Sequence, residues 1–288
     1  MIHQEYQYLN LIRKIIKNGD TINGRNGKIK TIIGNQMRFS LKNNKIPILT
    51  TKKLAWGVCL KELLWFINGD TNNTSLKKQK VNIWNGNASR QFLDDRGLQH
   101  YSENDLGPIY GHQWRFYNAP YKSCYTNYKG TGIDQLQNSI EMLKTDPFSR
   151  RNIITAWNPE QLNEMALPPC HILIQFNVID KNKLITSVYQ RSGDVGLGIP
   201  FNIASYSMLT YMVANVCDLE PYEFIHTVGN CHIYEEHIAS LDKQTNLVPY
   251  DFPSINIPIK KDIDDYTFDD FILSDYNYHP TIAMKMKV

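Results

Sequence analysis

A chain of 288 residues, 42% of them hydrophobic, can bury a substantial core as one large domain or two small ones. Its net charge of +3 is too mild to argue for nucleic acid or a membrane surface, though it suits a small anionic ligand if the arginines converge. No stretch is long enough to cross a bilayer and no apolar run follows a basic start. The five cysteines include no C-x-x-C pair, so they read as reduced thiols in a cytosol-like compartment, and the sequons at Asn72 and Asn73 carry no weight.

In chain order, Glu5 to Lys17 places Leu9, Ile12 and Ile16 at helical spacing and stops at Asn18-Gly19. Gly24-Arg25-Asn26-Gly27 reads as a flexible loop with one arginine, and Ile29 to Ser40 as a loosely alternating strand. Trp56 to Ile67 reads as an apolar helix carrying Glu62 among Leu60, Leu63, Leu64, Trp65 and Phe66. A carboxylate there sits at a wet edge or is buried for a reason. Lys77, Lys78 and Lys80 read as a solvated face, and Ile83 to Asn87 as a turn around Trp84. Asp134 to Thr145 predicts an amphipathic helix with Ile133, Leu136, Ile140 and Leu143 on one face. Arg150 and Arg151 lead into a strand from Ile153 to Trp157, where neighbours point to opposite sides and need not share a ligand. Ile172 to Ile179 is a second apolar strand. Ser205 to Cys217 is a strongly apolar helix, with Asn202 just ahead of it in the place of an ordinary N-cap. From Pro280 to Val288, Ile282, Met284, Met286 and Val288 alternate with Thr281, Ala283, Lys285 and Lys287. Without repeats or linkers, residues 1–288 read as one domain of mixed helix and sheet.

The chemistry concentrates in Leu167-Pro168-Pro169-Cys170-His171 and Gln190-Arg191-Ser192-Gly193-Asp194. Two prolines stiffen the approach to a thiol at the mouth of a strand. A thiol needs positive neighbours to become a thiolate, and an arginine a hairpin away can supply that charge. Gly196, Gly198 and Pro200 then read as a turn. Taken alone, Cys170 is a small buried hydrophobe, the usual fate of a free cysteine. A Cys170–His171 dyad fails if the segment is extended, since strand neighbours face opposite sides. His226, Cys231, His232 and His237 match no common zinc spacing. Gly193, Gly196 and Gly198 are not in G-x-G-x-x-G order, so a dinucleotide fold is unsupported. An anion site of scattered arginines beside a nucleophilic thiol remains.

Five runs carry a resemblance. They are Lys61 to Asn72, Tyr110-Gly111-His112-Gln113-Trp114-Arg115, Ala166 to His171, Gln190 to Tyr206 (QRSGDVGLGIPFNIASY) and His232-Ile233-Tyr234. Together they resemble thymidylate synthase over nearly the whole chain. The resemblance implies reductive methylation of dUMP to dTMP, with 5,10-methylenetetrahydrofolate as donor of carbon and hydride and no metal. It also implies an α/β (α+β) three-layer fold whose mixed, twisted sheet forms the interface of an obligate homodimer, with no membrane and no need of nucleic acid.

By the same resemblance Cys170 would add to carbon 6 of the uracil ring, splitting one hard step into easier ones. Arg191 would bind phosphate and favour the thiolate, and Arg25, Ser192 and Gly193 would lie at the same phosphate. Arg150 and Arg151 would reach it from the partner subunit. Asn202 would pair with the uracil edge, with Asp194 beside the nucleotide and on the pterin. His232, Ile233 and Tyr234 would line the deoxyribose, with His232 and Tyr234 bonding its hydroxyl. Glu62 would organise water for proton transfers, its pKa raised by burial. Tyr110 would assist removal of the carbon 5 proton. Ile83, Trp84, Asn87, Leu197 and Phe201 would contact the folate, with Lys287 and Val288 closing over it as a lid.

The chain departs from the family pattern in four places. The arginine loop, usually R-T-G-x-G-T, has lost its second glycine and is one residue short at Arg25 to Thr31. Asn230 replaces the acidic residue of G-D-x-H-I-Y. Ala55 stands where bacterial members carry a histidine near the folate, and Asn277-Tyr278-His279-Pro280 replaces N-P-H-P. Two alternatives remain open. A dCMP-hydroxymethylating sister enzyme would carry Asp at position 202. A non-catalytic nucleotide-binding module would have no need of the thiol.

Overall fold

The structure, a computed structural model, describes residues 2–24 and 26–287. The helices are α1 (Tyr6–Asn18), α2 (Trp56–Ile67), α3 (Asn73–Lys78), α4 (Arg90–Asp95), α5 (Tyr110–Phe116), α6 (Gln135–Thr145), α7 (Gly198–Val216) and α8 (Ile238–Thr245). The strands are β1 (Asp20–Gly24), β2 (Gly27–Ser40), β3 (Ile153–Thr155), β4 (His171–Ile179), β5 (Lys183–Asp194), β6 (Glu220–Tyr234), β7 (Ser254–Asn256) and β8 (Ile272–Ser274). Six strands form one mixed sheet in the order β1-β2-β6-β5-β4-β3, and β7 and β8 form a separate pair. Within the large sheet only β5 and β6 run parallel, joined by the crossover helix α7.

The sheet, the helices α1 and α7 packed on it, and α2 packed on α7 make three layers. A single cluster of buried side chains runs through them, from Tyr8 and Ile12 of α1 to Phe176, Met208 and Phe224. The opposite face of the sheet is uncovered. Ile33 is 75% exposed there, and Ile153, Ile179 and Tyr189 are each 42% exposed.

The helix α2 has the bounds its apolar run predicts, and α6 begins after Asp134, whose side chain accepts from the Gln137 backbone as an N-cap. Ile133 is not on the buried face of α6. It is half exposed, and its backbone bridges to Tyr117 instead. The helix α7 starts seven residues earlier than the apolar run predicts. Gly198 and Pro200, read from sequence as turn residues, occupy its first turn, where a proline costs no intrahelical hydrogen bond. The glycines of the expected loop end paired strands, Gly24 of β1 opposite Gly27 of β2, with Arg25 between them outside the described residues. The strand at Ile153 stops at Thr155, and Arg150 and Arg151 lie in a turn rather than on an extended segment. The alternating tail after Pro280 pairs with no strand among the described residues, although Ile282 and Met284 are half-buried.

The start of the chain is tied to the middle by a buried carboxylate. Glu5 accepts from the backbone and hydroxyl of Thr50 at 2.9 and 2.7 Å, and from those of Thr51 at 2.8 and 2.6 Å. Four donors meet the acceptor capacity of one carboxylate, so the charge is held without exposure. This anchor presents the next residue, Lys52, to the interior, where its ammonium donates to the Gly196 carbonyl.

Candidate active site

Cys170 sits where the approach to β4 meets β5. The Arg191 backbone donates to the Cys170 carbonyl at 2.8 Å, in register with the sheet. That pairing sets the Arg191 side chain beside the thiol. Its Nε donates to the Pro169 carbonyl at 2.7 Å and Nη2 to that of Pro168 at 3.0 Å, leaving Nη2 3.9 Å from Cys170 Sγ. The guanidinium also lies over the Trp157 ring, 5.6 Å from its centroid. The two prolines do more than stiffen the approach, because their carbonyls hold the arginine in place.

Behind the thiol lies a row of buried rings. The Cys170 backbone N–H donates to the Tyr110 hydroxyl at 2.7 Å. Tyr110 stacks on His171 with centroids 4.0 Å apart, and His171 Nδ1 meets the Tyr206 hydroxyl of α7. His171 therefore points into the core, away from Cys170, and forms no dyad with it. Burial drives its pKa down to about 3, with His226 acting in the same direction. Burial, with Cys170 adding to it, holds the Tyr110 phenol well above its ordinary value. Tyr110 thus stays protonated and is suited to hold a water or a backbone group, not to act as a free base.

Glu62 stands across from this row. Trp84 Nε1 donates to its Oε1 at 2.7 Å, and the Trp84 ring lies edge-on to Tyr110 at 6.2 Å. Burial raises the Glu62 carboxyl from 4.5 to about 7, against the lowering effect of the Trp84 bond. Glu62, Trp84, Tyr110, Cys170 and Arg191 therefore form one continuous group. Asn202 is not a helix cap, since it lies within α7. It precedes Tyr206 by one turn and so shares the face that looks toward His171. No hydrogen bond locks its amide among the described residues, because Ser205 Oγ turns to the Cys59 carbonyl at 3.5 Å.

Asp194, Gly193 and Ser192 end β5 opposite His232, Cys231 and Asn230 of β6. Gly193 leaves no room for a side chain, since a Cβ there would meet Ile199 at 2.4 Å. Asp194 Oδ1 accepts from the Gly196 backbone at 2.8 Å, ahead of Leu197 and the half-buried Phe201. His232 and Tyr234 share one face with rings 5.5 Å apart. Ile233 turns the other way and is fully buried, so the alternation of the strand removes its side chain from any ligand.

Ile83 and Asn87 flank Trp84 in the turn, and Asn85 Oδ1 accepts from Asn73 Nδ2 at 3.0 Å. Lys287 pairs with Glu236 at 3.0 Å, and His237 bonds the Lys285 carbonyl at 3.0 Å. The tail is thus fastened beside Gly196. Arg25 and Val288 lie outside the described residues. Arg150 and Arg151 are exposed and line one open cavity of about 550 Å³ with Asp146, Phe148 and Ser149. They share that cavity, contrary to the opposite-sides expectation. The lining of that cavity does not include Cys170, Arg191 or His232.

Three participants escaped the sequence reading. Lys52 is buried against Gly196, and burial lowers its pKa to about 8 although Asp194 and Glu5 oppose the shift. A lysine after two threonines gave no such signal. Tyr206 was hidden in an apolar run. Asn230 was noted only as a missing charge, yet i and i+2 on a strand share a face, and that rule could have placed it on His232. Among the described residues no three His, Cys, Asp or Glu side chains gather as a metal-ligand group, and no helix is long and apolar enough to cross a membrane.

Comparison with known proteins adds a second line of evidence. The sequence profile of the family described as Thymidylate synthase matches residues 6–288. Thymidylate synthase of Saccharomyces cerevisiae is 48% identical over 296 residues, which cover 99% of this chain and 97% of the yeast protein. Bifunctional dihydrofolate reductase-thymidylate synthase of Zea mays is 50% identical over 288 residues, covering 99% of this chain and 55% of the maize protein. A probable thymidylate synthase of Schizosaccharomyces pombe is 48% identical and is covered over 48% of its length. The chain spans roughly half to three-fifths of the bifunctional relatives, 55%, 58% and 62% of three of them. With the profile matched over nearly its whole length, the chain belongs to the thymidylate synthase family.

Proposed function

We propose that this chain is a single catalytic unit that converts dUMP to dTMP by reductive methylation, with 5,10-methylenetetrahydrofolate as cosubstrate. The observation that carries the reading is Arg191 held between two proline carbonyls with Nη2 3.9 Å from Cys170 Sγ. A fixed cation beside a thiol favours the thiolate, and the thiolate is the nucleophile. Cys170 adds to carbon 6 of the uracil ring, forming a C–S bond, and the ring's electron pair moves to carbon 5. Glu62, whose carboxyl titrates near neutrality, gives and takes protons through water. Tyr110 holds the Cys170 backbone and orders water at carbon 5. Once carbon 5 has taken up the one-carbon unit and lost its proton, hydride delivery to that unit would drive an electron pair into the carbon 5–carbon 6 bond, and the C–S bond would break to release Cys170 as a thiolate.

The outer face of Arg191, with Ser192, the Gly193 backbone and Arg25, receives the phosphate. Planar guanidinium donors suit phosphate oxygens. Asn202 reads the uracil edge, and His232 and Tyr234 hold the sugar hydroxyl. Partly open apolar side chains at Ile83, Leu197 and Phe201, with the Trp84 ring and the Asp194 carboxylate, fit a flat ring bearing N–H donors. These residues and Asn87 would hold the folate, which supplies a one-carbon unit and a hydride. Lys287 and Val288 would cover it.

The uncovered sheet face with Ile33, Ile153, Ile179 and Tyr189 supports a homodimer packed sheet to sheet. Arg150 and Arg151, in a cavity whose lining does not include Cys170, then serve the partner's phosphate. A reduced, cytosol-like compartment suits a site that works through the Cys170 thiol. Cys170→Ser tests the role of the thiol. Turnover is expected to vanish while calorimetry still measures dUMP binding, and near-normal turnover would remove Cys170 from the mechanism.

A further inference from the structure

The end of β6 reads Asn230-Cys231-His232-Ile233-Tyr234. Cys231 and Ile233 are fully buried, so Asn230, His232 and Tyr234 share the other face. His232 Nδ1 lies 3.0 Å from Asn230 Oδ1. In this orientation of the amide, Asn230 Oδ1 faces the ring and can only accept, so Nδ1 is the nitrogen that carries the hydrogen. In a neutral imidazole Nε2 is then a bare lone pair.

The ring's neighbours decide whether it stays neutral. From β5, Asp194 is the register partner of His232 and raises its pKa. From β2 the register partner is Thr31, and on the same strand Tyr234 lies edge-on. Burial is the largest influence and favours the neutral form. A carboxylate at position 230, the residue the family pattern carries there, would add a second negative charge at Nδ1 and favour the imidazolium. An imidazolium has two donors and no acceptor.

We propose that Asn230 is a positioning residue that locks His232 in the neutral Nδ1–H tautomer, so that Nε2 accepts a hydrogen bond from the ligand's sugar hydroxyl. The proposal deepens the nucleotide reading above and rests on it. It identifies the group selected at this end of the site as a hydroxyl donor. A nucleotide with no proton to give at that position meets two acceptors face to face.

The test uses the full-length protein labelled with nitrogen-15 in histidine, without nucleotide, at pH 7.5. His232 signals are assigned by their loss in His232→Gln. The expected pattern is a protonated Nδ1 and a bare Nε2 in the wild type, lost in Asn230→Leu, which keeps the volume without the acceptor. In Asn230→Asp the His232 signals should titrate at higher pH. The KM for dUMP in that variant should then rise about tenfold between pH 8 and pH 6 relative to the wild type, the effect of a one-unit shift, with kcat changed less. A protonated Nε2 in the wild type, or a tautomer unchanged in Asn230→Leu, would overturn the role of Asn230. The sugar contact is tested separately by adding dUMP. His232 signals that do not move at saturation would overturn the contact itself, even with the tautomer as expected.

Discussion

Trp84 Nε1 donates to Glu62 Oε1 at 2.7 Å, and this one bond limits how far burial can lift the carboxyl. Burial favours the protonated acid, while the indole N–H favours the anion. The balance near 7 puts Glu62 where a group must both give and take a proton.

The plot of kcat against pH should therefore inflect near 7. Trp84→Phe should move the inflection to higher pH, and Glu62→Gln should remove it with a loss of about 10²–10⁴ in kcat. Stability should move the other way. The folded pKa of Glu62 exceeds its unfolded value, so its contribution is complete below about 4.5 and is lost as pH rises through 7. The stability change on Glu62→Gln should thus be more favourable at pH 8 than at pH 5, by less than about 3 kcal/mol since the residue keeps a wet edge. An unchanged kcat profile in Trp84→Phe would mean that the bond does not tune the acid.

The base-reading role of Asn202 makes a sharp prediction, because the amide has no locking partner among the described residues. Uracil offers a donor at nitrogen 3 and an acceptor at oxygen 4, whereas cytosine offers an acceptor and a donor. An amide serves either by flipping, while an ionised carboxylate only accepts. Asn202→Asp should lose dUMP turnover and gain measurable dCMP turnover. A mispaired buried edge costs about 1–3 kcal/mol, so the ratio of specificity constants should shift by about tenfold to a hundredfold. Since Asn202 sits inside α7, an unchanged ratio could not be put down to capping and would remove it from base recognition.

The uncovered sheet face and the exposed Arg150 and Arg151 give a test by mixing. Arg151→Ala subunits and Cys170→Ser subunits, each inactive, should regain activity when exchanged, because some mixed dimers carry one complete site. With equal amounts and free exchange, half the dimers are mixed, and up to about a quarter of wild-type activity should return. No recovery, with exchange confirmed, would place both functions in one chain.

What the sequence made legible follows from local physics. The bounds of α2 could be read because an apolar run of helical length ends at Asn68-Gly69, where Gly69 takes a φ of +69° that favours glycine. The start of α7 could not, because Gly198 and Pro200 are turn residues by habit and only packing decides that they open a helix. Motif order placed Cys170 and Arg191 in one neighbourhood. It could not show that the Pro168 and Pro169 carbonyls hold the guanidinium, since backbone acceptors leave no trace in side-chain identity. Lys52 was illegible for the opposite reason. Its burial depends on Glu5, forty-seven positions earlier, accepting all four donors of Thr50 and Thr51.

The central claim is that this site methylates dUMP at the expense of a reduced folate. The most direct measurement mixes the purified protein with dUMP and 5,10-methylenetetrahydrofolate and follows the absorbance rise of dihydrofolate, with dTMP quantified in the same samples. The account predicts both products in equal amounts, each dependent on both substrates. Nucleotide binding without dihydrofolate or dTMP would contradict it and leave a binding module in the fold of an enzyme.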